Sequence, residues 1–510
     1  MSKNSTQTYQ HVKERARQRS RRLTQVGQDI GPIPPVKNIL RRMKGEESFK
    51  FFCETYFPQL FHLTWSPDHL RVIQKIESVV LYGDTFAVAM PRGSGKTTLC
   101  LTAAIWAVLT GKHEFVYLLA SADEQAGKLL TNIKNQFSAN QLLLEDYPES
   151  IYPMQKLENE ARRCTGQKCL GLPTHIKWGV NELVLPTIPN SKSSGAIIRT
   201  CGLTGNFRGA MHVRPNGKSI RPTLVIVDDP QSDVSARSMV QTAERLSILN
   251  GTIIGLAGPD RKTGVIVPCT VIHEGDLADQ LLNRKRFPAW RGERTKMIYE
   301  WPKNTDLWAE YCKLREQSLE NDGRGEEATE FYRRNRAAMD EGAVVAWPAR
   351  YSPESGEISA LQAAYNILLD YKAHGFAAEF QNEPLKEGID GEVPLSPEDV
   401  WSKANGRPQG QVPLRCAKLT AFIDVHDNLL YYAVCGWEDD YTGYVVEYGT
   451  LPKQNRRHFT LQRATHTLGR MFPDAGKDGA IMAGLEKLVT GLLETKYPRG
   501  EGYMHIDRLL

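Results

Sequence analysis

The sequence predicts an α/β fold built on a parallel sheet, and three observations carry that expectation. Short apolar runs alternate with helical patterns from Phe49 to about Leu385, each run is bounded by Gly, Pro or charged residues, and a glycine-rich turn joins the first run to a helix. The strand candidates are Thr85 to Met90, Phe115 to Ala120, Ile197 to Cys201, Leu224 to Val227 and Val265 to Thr270. Their apolar residues are mostly continuous instead of alternating, which suits strands covered on both faces.

With 510 residues, the chain has room for two to four domains. Hydrophobic residues at 41% and charged residues at 24% exclude fibrous and wholly disordered classes. A formal net charge of +5 is too mild to identify a nucleic-acid partner, so local clusters matter more than the total. Nine scattered cysteines without a zinc-type CxxC pair fit a reduced cytosolic protein. No apolar run reaches the roughly 20 residues of a membrane helix, and the N-terminus lacks a secretory signal, so no membrane partner is expected.

Residues 1–45 form a basic arm, with Lys13, Arg15, Arg17, Arg19, Arg21 and Arg22 ahead of a Gly-Pro-Ile-Pro-Pro segment. Two readings stand for it: a solvated tail, or a contact to DNA or a partner subunit. Residues 46–385 are read as the first large domain. Its part from about 320 to 383 is helical, with Leu361, Tyr365, Leu368 and Leu369 on one face, Ser359 as cap and Gly375 as stop. Residues 386–413 are the linker. Residues 414–510 then open with an antiparallel meander, Leu419 to Val425, Leu429 to Trp437 and Tyr444 to Tyr448, turning at Asp440 to Gly443. A helix is expected from Gly479 to Leu493, and the final residues read as entry into a further strand of a truncated domain.

The strongest motif is Met90-Pro91-Arg92-Gly93-Ser94-Gly95-Lys96-Thr97-Thr98, between an apolar strand and a helix. A phosphate chain is bound where successive backbone N–H groups converge at a helix N-terminus. Gly93 and Gly95 permit that path, Lys96 neutralises phosphate charge, and the Thr97 hydroxyl is a Mg²⁺ ligand. Arg92, Ser94 and Thr98 complete the expected ATP-binding loop. Met90 stands where the usual GxxxxGK[ST] pattern has its first glycine; the nest, the ammonium and the hydroxyl are all retained. A bare strand-to-helix turn would not require Lys and Thr after the second glycine.

A second signal, Leu224-Val225-Ile226-Val227-Asp228-Asp229, ends an apolar strand in two carboxylates. In a Walker B arrangement Asp228 holds Mg²⁺ and Asp229 polarises the attacking water, a position more often occupied by Glu. Strands also end commonly in acidic turn residues, so the pair gains its meaning from the phosphate loop upstream.

Together these residues resemble the large terminase subunit of tailed bacteriophages. Arg92 inside the loop is typical of that family, as are Gly205-Asn206-Phe207-Arg208-Gly209, Asp228-Asp229-Pro230-Gln231 and Glu379-Phe380-Gln381-Asn382-Glu383-Pro384. The resemblance implies a P-loop ATPase followed by an RNase H-like nuclease domain, of which residues 414–510 are the N-terminal part. It implies ATP-driven translocation of double-stranded DNA into a procapsid and metal-dependent cutting of concatemeric DNA. It further implies a homo-oligomeric ring, a small terminase subunit and the portal protein as partners, and residence in the host bacterial cytoplasm, docked transiently on the procapsid and absent from the mature virion.

The resemblance also suggests roles for single residues. Thr270 matches a coupling position and reads equally as a γ-phosphate sensor or as a strand-end cap. Arg208 is a candidate arginine finger, against the alternative of a solvated or ion-paired arginine. Gln74, in the segment before the loop, is a candidate adenine contact, or simply an exposed helix residue. In the nuclease half Asp424 occupies the place of the leading ligand for Mg²⁺ or Mn²⁺, and Asp507 is the candidate second ligand. Two metals need several carboxylates, so weak or absent cleavage is expected of these 510 residues. A helicase-like DNA-stimulated ATPase would share the nucleotide site but carry a second RecA-like domain, and a non-enzymatic assembly protein with a relict P-loop is the third reading. The β opening with Asp424 favours the nuclease.

Overall fold

The computed structural model describes residues 14–15, 29–214, 217–259, 261–385, 401–455, 459 and 464–510. The chain divides into two compact units, residues 1–387 and 388–510.

The first unit is organised by an eight-stranded sheet. Its strands are β1 (Thr85–Ala89), β2 (Phe115–Ala120), β3 (Lys177–Trp178), β4 (Glu182–Val184), β5 (Ile197–Gly202), β6 (Leu224–Asp228), β7 (Gly264–Cys269) and β8 (Glu293–Arg294), in the order β8-β1-β7-β6-β2-β5-β4-β3. Every pairing from β8 to β5 is parallel, whereas β4 and β3 extend the edge antiparallel. The five predicted strands are all present within a residue or two. They read as continuous apolar runs because both faces are covered: Phe86, Val88 and Ile226 face one core, while Ala87, Ala89, Val225 and Val227 face the other. Burying a valine, isoleucine or phenylalanine contributes about 1.5–3 kcal/mol. Of the five, β5 alone carries a charge inside its run, Arg199, which is paired with Glu182 of the neighbouring β4.

Helix α1 (Ile39–Glu47) starts at Asn38, whose side chain accepts from the Arg41 N–H, and α2 (Phe49–Tyr56) follows. Helix α3 (Pro67–Tyr82) begins with Pro67 behind a Ser66–His69 capping box and ends at Gly83, which is left-handed. Helix α4 (Lys96–Leu109) follows the glycine-rich turn and is buried almost all round, as its apolar composition requires. Helix α5 (Asp123–Ala139) follows β2.

Three expectations for this unit change. Of the arm, Lys13, Arg17, Arg19, Arg21 and Arg22 lie outside the described residues, and Arg15 is exposed. The last part of the arm is not a solvated tail: Arg41 and Arg42 of α1 pair with Asp146 and Glu149 at 2.6 and 2.7 Å. The helical part begins earlier than 320, with α6 (Thr305–Glu320), α7 (Glu326–Met339) and α8 (Ala360–Glu379) around Trp308, whose ring stacks on Tyr365 at 3.7 Å. Ser359 caps α8 as expected, accepting from the Gln362 N–H at 3.0 Å. Gly375 does not stop the helix, which kinks at Lys372 (φ 58°) and runs on to Glu379. Phe376 and Phe380 are buried in the same core, and that packing outweighs the glycine's cost of about 1 kcal/mol.

The second unit contains β9 (Lys418–Val425), β10 (Leu430–Trp437) and β11 (Gly443–Leu451) as the predicted antiparallel meander, with β12 (Arg508–Leu509) parallel to β9 on its other side. Helix α9 (Gly476–Glu494) lays Ala480, Leu488 and Leu492 against Leu419, Ala421, Ile423 and Val434. Among the described residues no helix is long and apolar enough to cross a membrane.

Candidate nucleotide and metal sites

In a parallel sheet all strands deliver their following loops to the same edge, so residues far apart in sequence meet there. The loop after β1 is the glycine-rich turn. Gly93 and Gly95 both adopt positive φ (76° and 81°), and Gly95 is the N-cap of α4 without any side-chain cap, leaving the first N–H groups of the helix available to an anion.

Strand β7 lies between β1 and β6, and its end therefore stands between the loop and the two carboxylates. Lys96 Nζ donates to Thr270 Oγ1, and Thr270 Oγ1 donates in turn to Asp229 Oδ1 at 3.5 Å. Lys96 also faces Asp229 directly at 3.7 Å. Thr97 Oγ1 donates to Asp228 Oδ1 at 2.8 Å. Burial, then the adjacent Asp229 carboxylate, push the Asp228 carboxyl up to about 7, against the pull of Thr97 and Lys96. A half-buried hydroxyl–carboxylate pair beside a second carboxylate is a donor set suited to a hard cation such as Mg²⁺. The lysine and the positive-φ glycines likewise fit a triphosphate.

All of these but Asp228, which stands behind Thr97, open onto one cavity of about 610 Å³, lined by Arg92, Gly93, Gly95, Lys96, Thr97, Thr98, Asp229 and Thr270. Ser94 faces the other way, toward a smaller cavity with His69, Trp347 and Arg350. Its hydroxyl is buried without a hydrogen-bond partner among the described residues.

Two candidates lie away from this cluster. Arg208 follows β5 at the same sheet edge but is exposed and does not line the cavity. Its loop is tight, since a Cβ on Gly205 would stand 3.0 Å from the Gly202 carbonyl. Gln74 is exposed on α3 and lines neither cavity. The α3 residue that does reach the loop is His69, whose Nε2 meets the Ser94 carbonyl at 2.9 Å and which burial holds below its ordinary value.

Sequence reasoning missed the residues that tie the helical part to the loop. Glu379 at the end of α8 accepts the Arg92 N–H through its carbonyl at 2.8 Å and faces the Arg92 guanidinium at 3.7 Å. The Arg350 guanidinium donates to the Arg92 carbonyl and stands over the Phe380 ring; burial lowers it to about 10. Asn382 accepts from the Val271 N–H at 3.4 Å and donates to the Thr295 carbonyl at 3.0 Å, and Gln381 accepts from Met297 and Ile298 at 2.9 Å. For Glu379, Gln381 and Asn382 the one sequence signal is the Glu379–Pro384 motif, and Arg350 lies outside it.

In the second unit Asp424 is on β9 with its side chain 57% exposed, and His426 Nε2 meets its Oδ2 at 2.9 Å. Asp507 does not join it. Its Oδ2 accepts from the Leu419 N–H at 2.8 Å and its own N–H donates to the Leu419 carbonyl at 2.7 Å. β12 enters beside the start of β9, so the two carboxylates are separated by five residues of strand, roughly 17 Å at the usual rise. Among the described residues no group of three or more His, Cys, Asp or Glu gathers at a metal site.

Residues 378–486 match the family model of the terminase large subunit gpA endonuclease domain. No curated protein matches the chain by sequence. Among solved structures, similar chains include the large terminase of bacteriophage HK97, with 14% identity over 76% of this chain and 63% of that one and a TM-score of 0.33. Others are the large terminase of a thermophilic bacteriophage (10% identity, 84% and 81% covered, TM-score 0.30) and the Thermus phage P74-26 large terminase ATPase domain (12%, 65% and 98%, 0.27). The chain thus spans 63% of the length of the HK97 protein. Over residues 378–486 it matches the terminase large-subunit family that the sequence resembles, and that match bears the resemblance out.

Proposed function

We propose that this chain is a terminase large subunit in which residues 46–385 bind and hydrolyse MgATP to drive duplex DNA, and residues 414–510 contribute to a metal-dependent nuclease. The observation that supports the motor is the convergence of three strand ends, through Thr97 with Asp228 and Lys96 with Thr270 and Asp229.

Bound MgATP supplies the phosphoanhydride whose cleavage releases energy. Lys96 and the Gly93–Thr98 N–H groups hold the phosphates, Thr97 and Asp228 hold the cation, and Asp229, half-exposed at the cavity wall, orients water and accepts its proton. In this reading the Thr270 hydroxyl turns its O–H from Asp229 to a phosphate oxygen while still accepting from Lys96, which makes it the sensor instead of a mere strand cap. Arg208 remains the candidate finger for a neighbouring subunit in a homo-oligomeric ring, being exposed at the correct sheet edge. Asp424, held by His426, is the first nuclease ligand; Asp507 serves the sheet.

Hydrolysis of ATP measured with and without linear duplex, followed by translocation and strand-separation assays, tests the motor. Duplex-stimulated hydrolysis with translocation and no unwinding is expected. Unwinding would mark a helicase instead, and absence of turnover would leave only an assembly role.

A further inference from the structure

The edge of the sheet opposite the nucleotide cavity carries two adjoining cavities, of about 760 and 540 Å³, which share Glu114 and Lys192 in their walls. One runs beneath the starts of β1, β2, β6 and β7 and is lined by Lys112, Lys192, Lys218, Arg261 and Lys262. The other continues beneath β5, β4 and β3 and adds Lys177 and Arg214. The two linings contain seven cations and two carboxylates, Glu114 and Glu182, an excess equal to the formal charge of +5 for the entire chain.

The carboxylates present are shared. Glu114 faces both Arg214 at 2.8 Å and Lys218 at 3.0 Å. Glu182 serves both Lys177 and Arg199, and Glu46 takes Lys192 at 2.6 Å. Lys112 donates to the Glu46 carbonyl at 2.7 Å and lies over the Trp106 ring, so its charge is held by a neutral oxygen and an aromatic face. These pairs fix where the cations point without cancelling them. From β7 to β3 the edge crosses five strand spacings, roughly 24 Å. A duplex carries one phosphate per roughly 1.7 Å of axis with both strands counted, so a length of roughly 24 Å carries on the order of fourteen, of which those on the near side face the groove.

We propose that this groove is a binding surface for the phosphate backbone of duplex DNA, set on the face of the motor domain opposite its nucleotide cavity. The proposal rests on the terminase reading for the choice of polyanion; the charge and the length of the groove supply the location. Contacts of this kind are insensitive to sequence, as a packaging motor needs.

The test is binding of a fluorescent 30-base-pair duplex by the full chain across 50–300 mM KCl. The parent is compared with a triple variant, Lys177→Gln, Lys192→Gln and Lys262→Gln, and with a charge-matched control, Lys128→Gln, Lys313→Gln and Arg334→Gln, on exposed helices elsewhere. The groove variant is expected to bind about tenfold or more weakly and to lose about 2–3 from the log–log salt slope, while the control changes less than about twofold. Both should fold, as judged by thermal melting, and hydrolyse ATP without DNA at the parental rate. If the parent binds duplex and the groove variant binds it with the same affinity and slope, or the control weakens it equally, the groove assignment is wrong and the terminase reading stands. If the parent itself binds no duplex, both fall.

Discussion

The two units place acidic residues by opposite means, and among the described residues only the first brings its candidate site residues together. In the first, parallel strands send every crossover loop to one edge, so Lys96, Asp228, Asp229 and Thr270 meet although 174 residues separate Lys96 from Thr270. In the second, the antiparallel meander alternates its ends, and β12 joins β9 with Asp507 beside Leu419, at the end away from Asp424. A carboxylate at a strand end is therefore strong evidence for a site in a parallel sheet and weaker in an antiparallel one, where its neighbours belong to turns.

The largest effect that would break this comparison is at the loop. Lys96→Ala should lower ATP hydrolysis by about 10²–10³-fold, the scale of losing one preorganised charge at a reacting phosphate, measured as kcat with saturating Mg²⁺. Retained turnover would mean that the convergence at the sheet edge is not the motor's site. Asn382→Ala should destabilise the first unit by about 2–4 kcal/mol in a denaturant titration, because it leaves the Val271 N–H and the Thr295 carbonyl without their side-chain partners. The second unit contains no comparable side-chain clamp on its Asp424, which only His426 holds among the described residues.

A pH titration sharpens the comparison further. His113 is buried beneath the sheet between the Val80 carbonyl and Thr223 Oγ1, and burial lowers it from its ordinary 6.5 to about 4. The unfolded chain then binds a proton that the folded chain refuses, so this contribution is present above about pH 6.5 and is lost as pH falls toward 4. It amounts to at most about 3 kcal/mol. The melting temperature of the parent should fall over that window, and His113→Gln should flatten the fall. The smallest effects separate the two aspartates of the second unit. Asp507→Ala should cost about 1 kcal/mol of stability through the lost acceptor for Leu419 and leave Mn²⁺ affinity unchanged, whereas Asp424→Asn should weaken Mn²⁺ binding without destabilising the fold. The reverse pattern in calorimetry would restore Asp507 as a ligand.

Much of this was legible in the residues, for identifiable reasons. The five parallel strands declare themselves because burial on both faces leaves them mostly apolar, with Arg199 and Thr200 of β5 as exceptions, and Ser359 is a readable cap because its hydroxyl answers a local N–H. The loop from Gly93 to Thr98 is readable because phosphate binding fixes residue types at fixed spacing. What was not legible depends on distance in sequence. Arg350 and Asn382 act on partners 258 and 111 residues away; Arg350 does not differ in kind from any surface arginine, and the motif that contains Asn382 gives no hint of the partners it clamps. Gly375 misleads because local propensity yields to the burial of Phe376 and Phe380. Asp507 misleads because strand register decides which end of β9 it meets. Gln74 and Arg208 are both exposed and contribute nothing to the cavity wall.

Asp229 adopts φ 37° while its N–H donates to the Pro268 carbonyl at 3.0 Å. Backbones of that handedness are tolerated by aspartate and asparagine far better than by longer or branched residues. The chain therefore presents a short acid on a turned backbone just after the end of β6. Lengthening the side chain here, as in Asp229→Glu, would set a longer acid on the same turned backbone, a handedness that Glu158 also adopts in this chain (φ 49°), and would move the carboxylate and not the peptide.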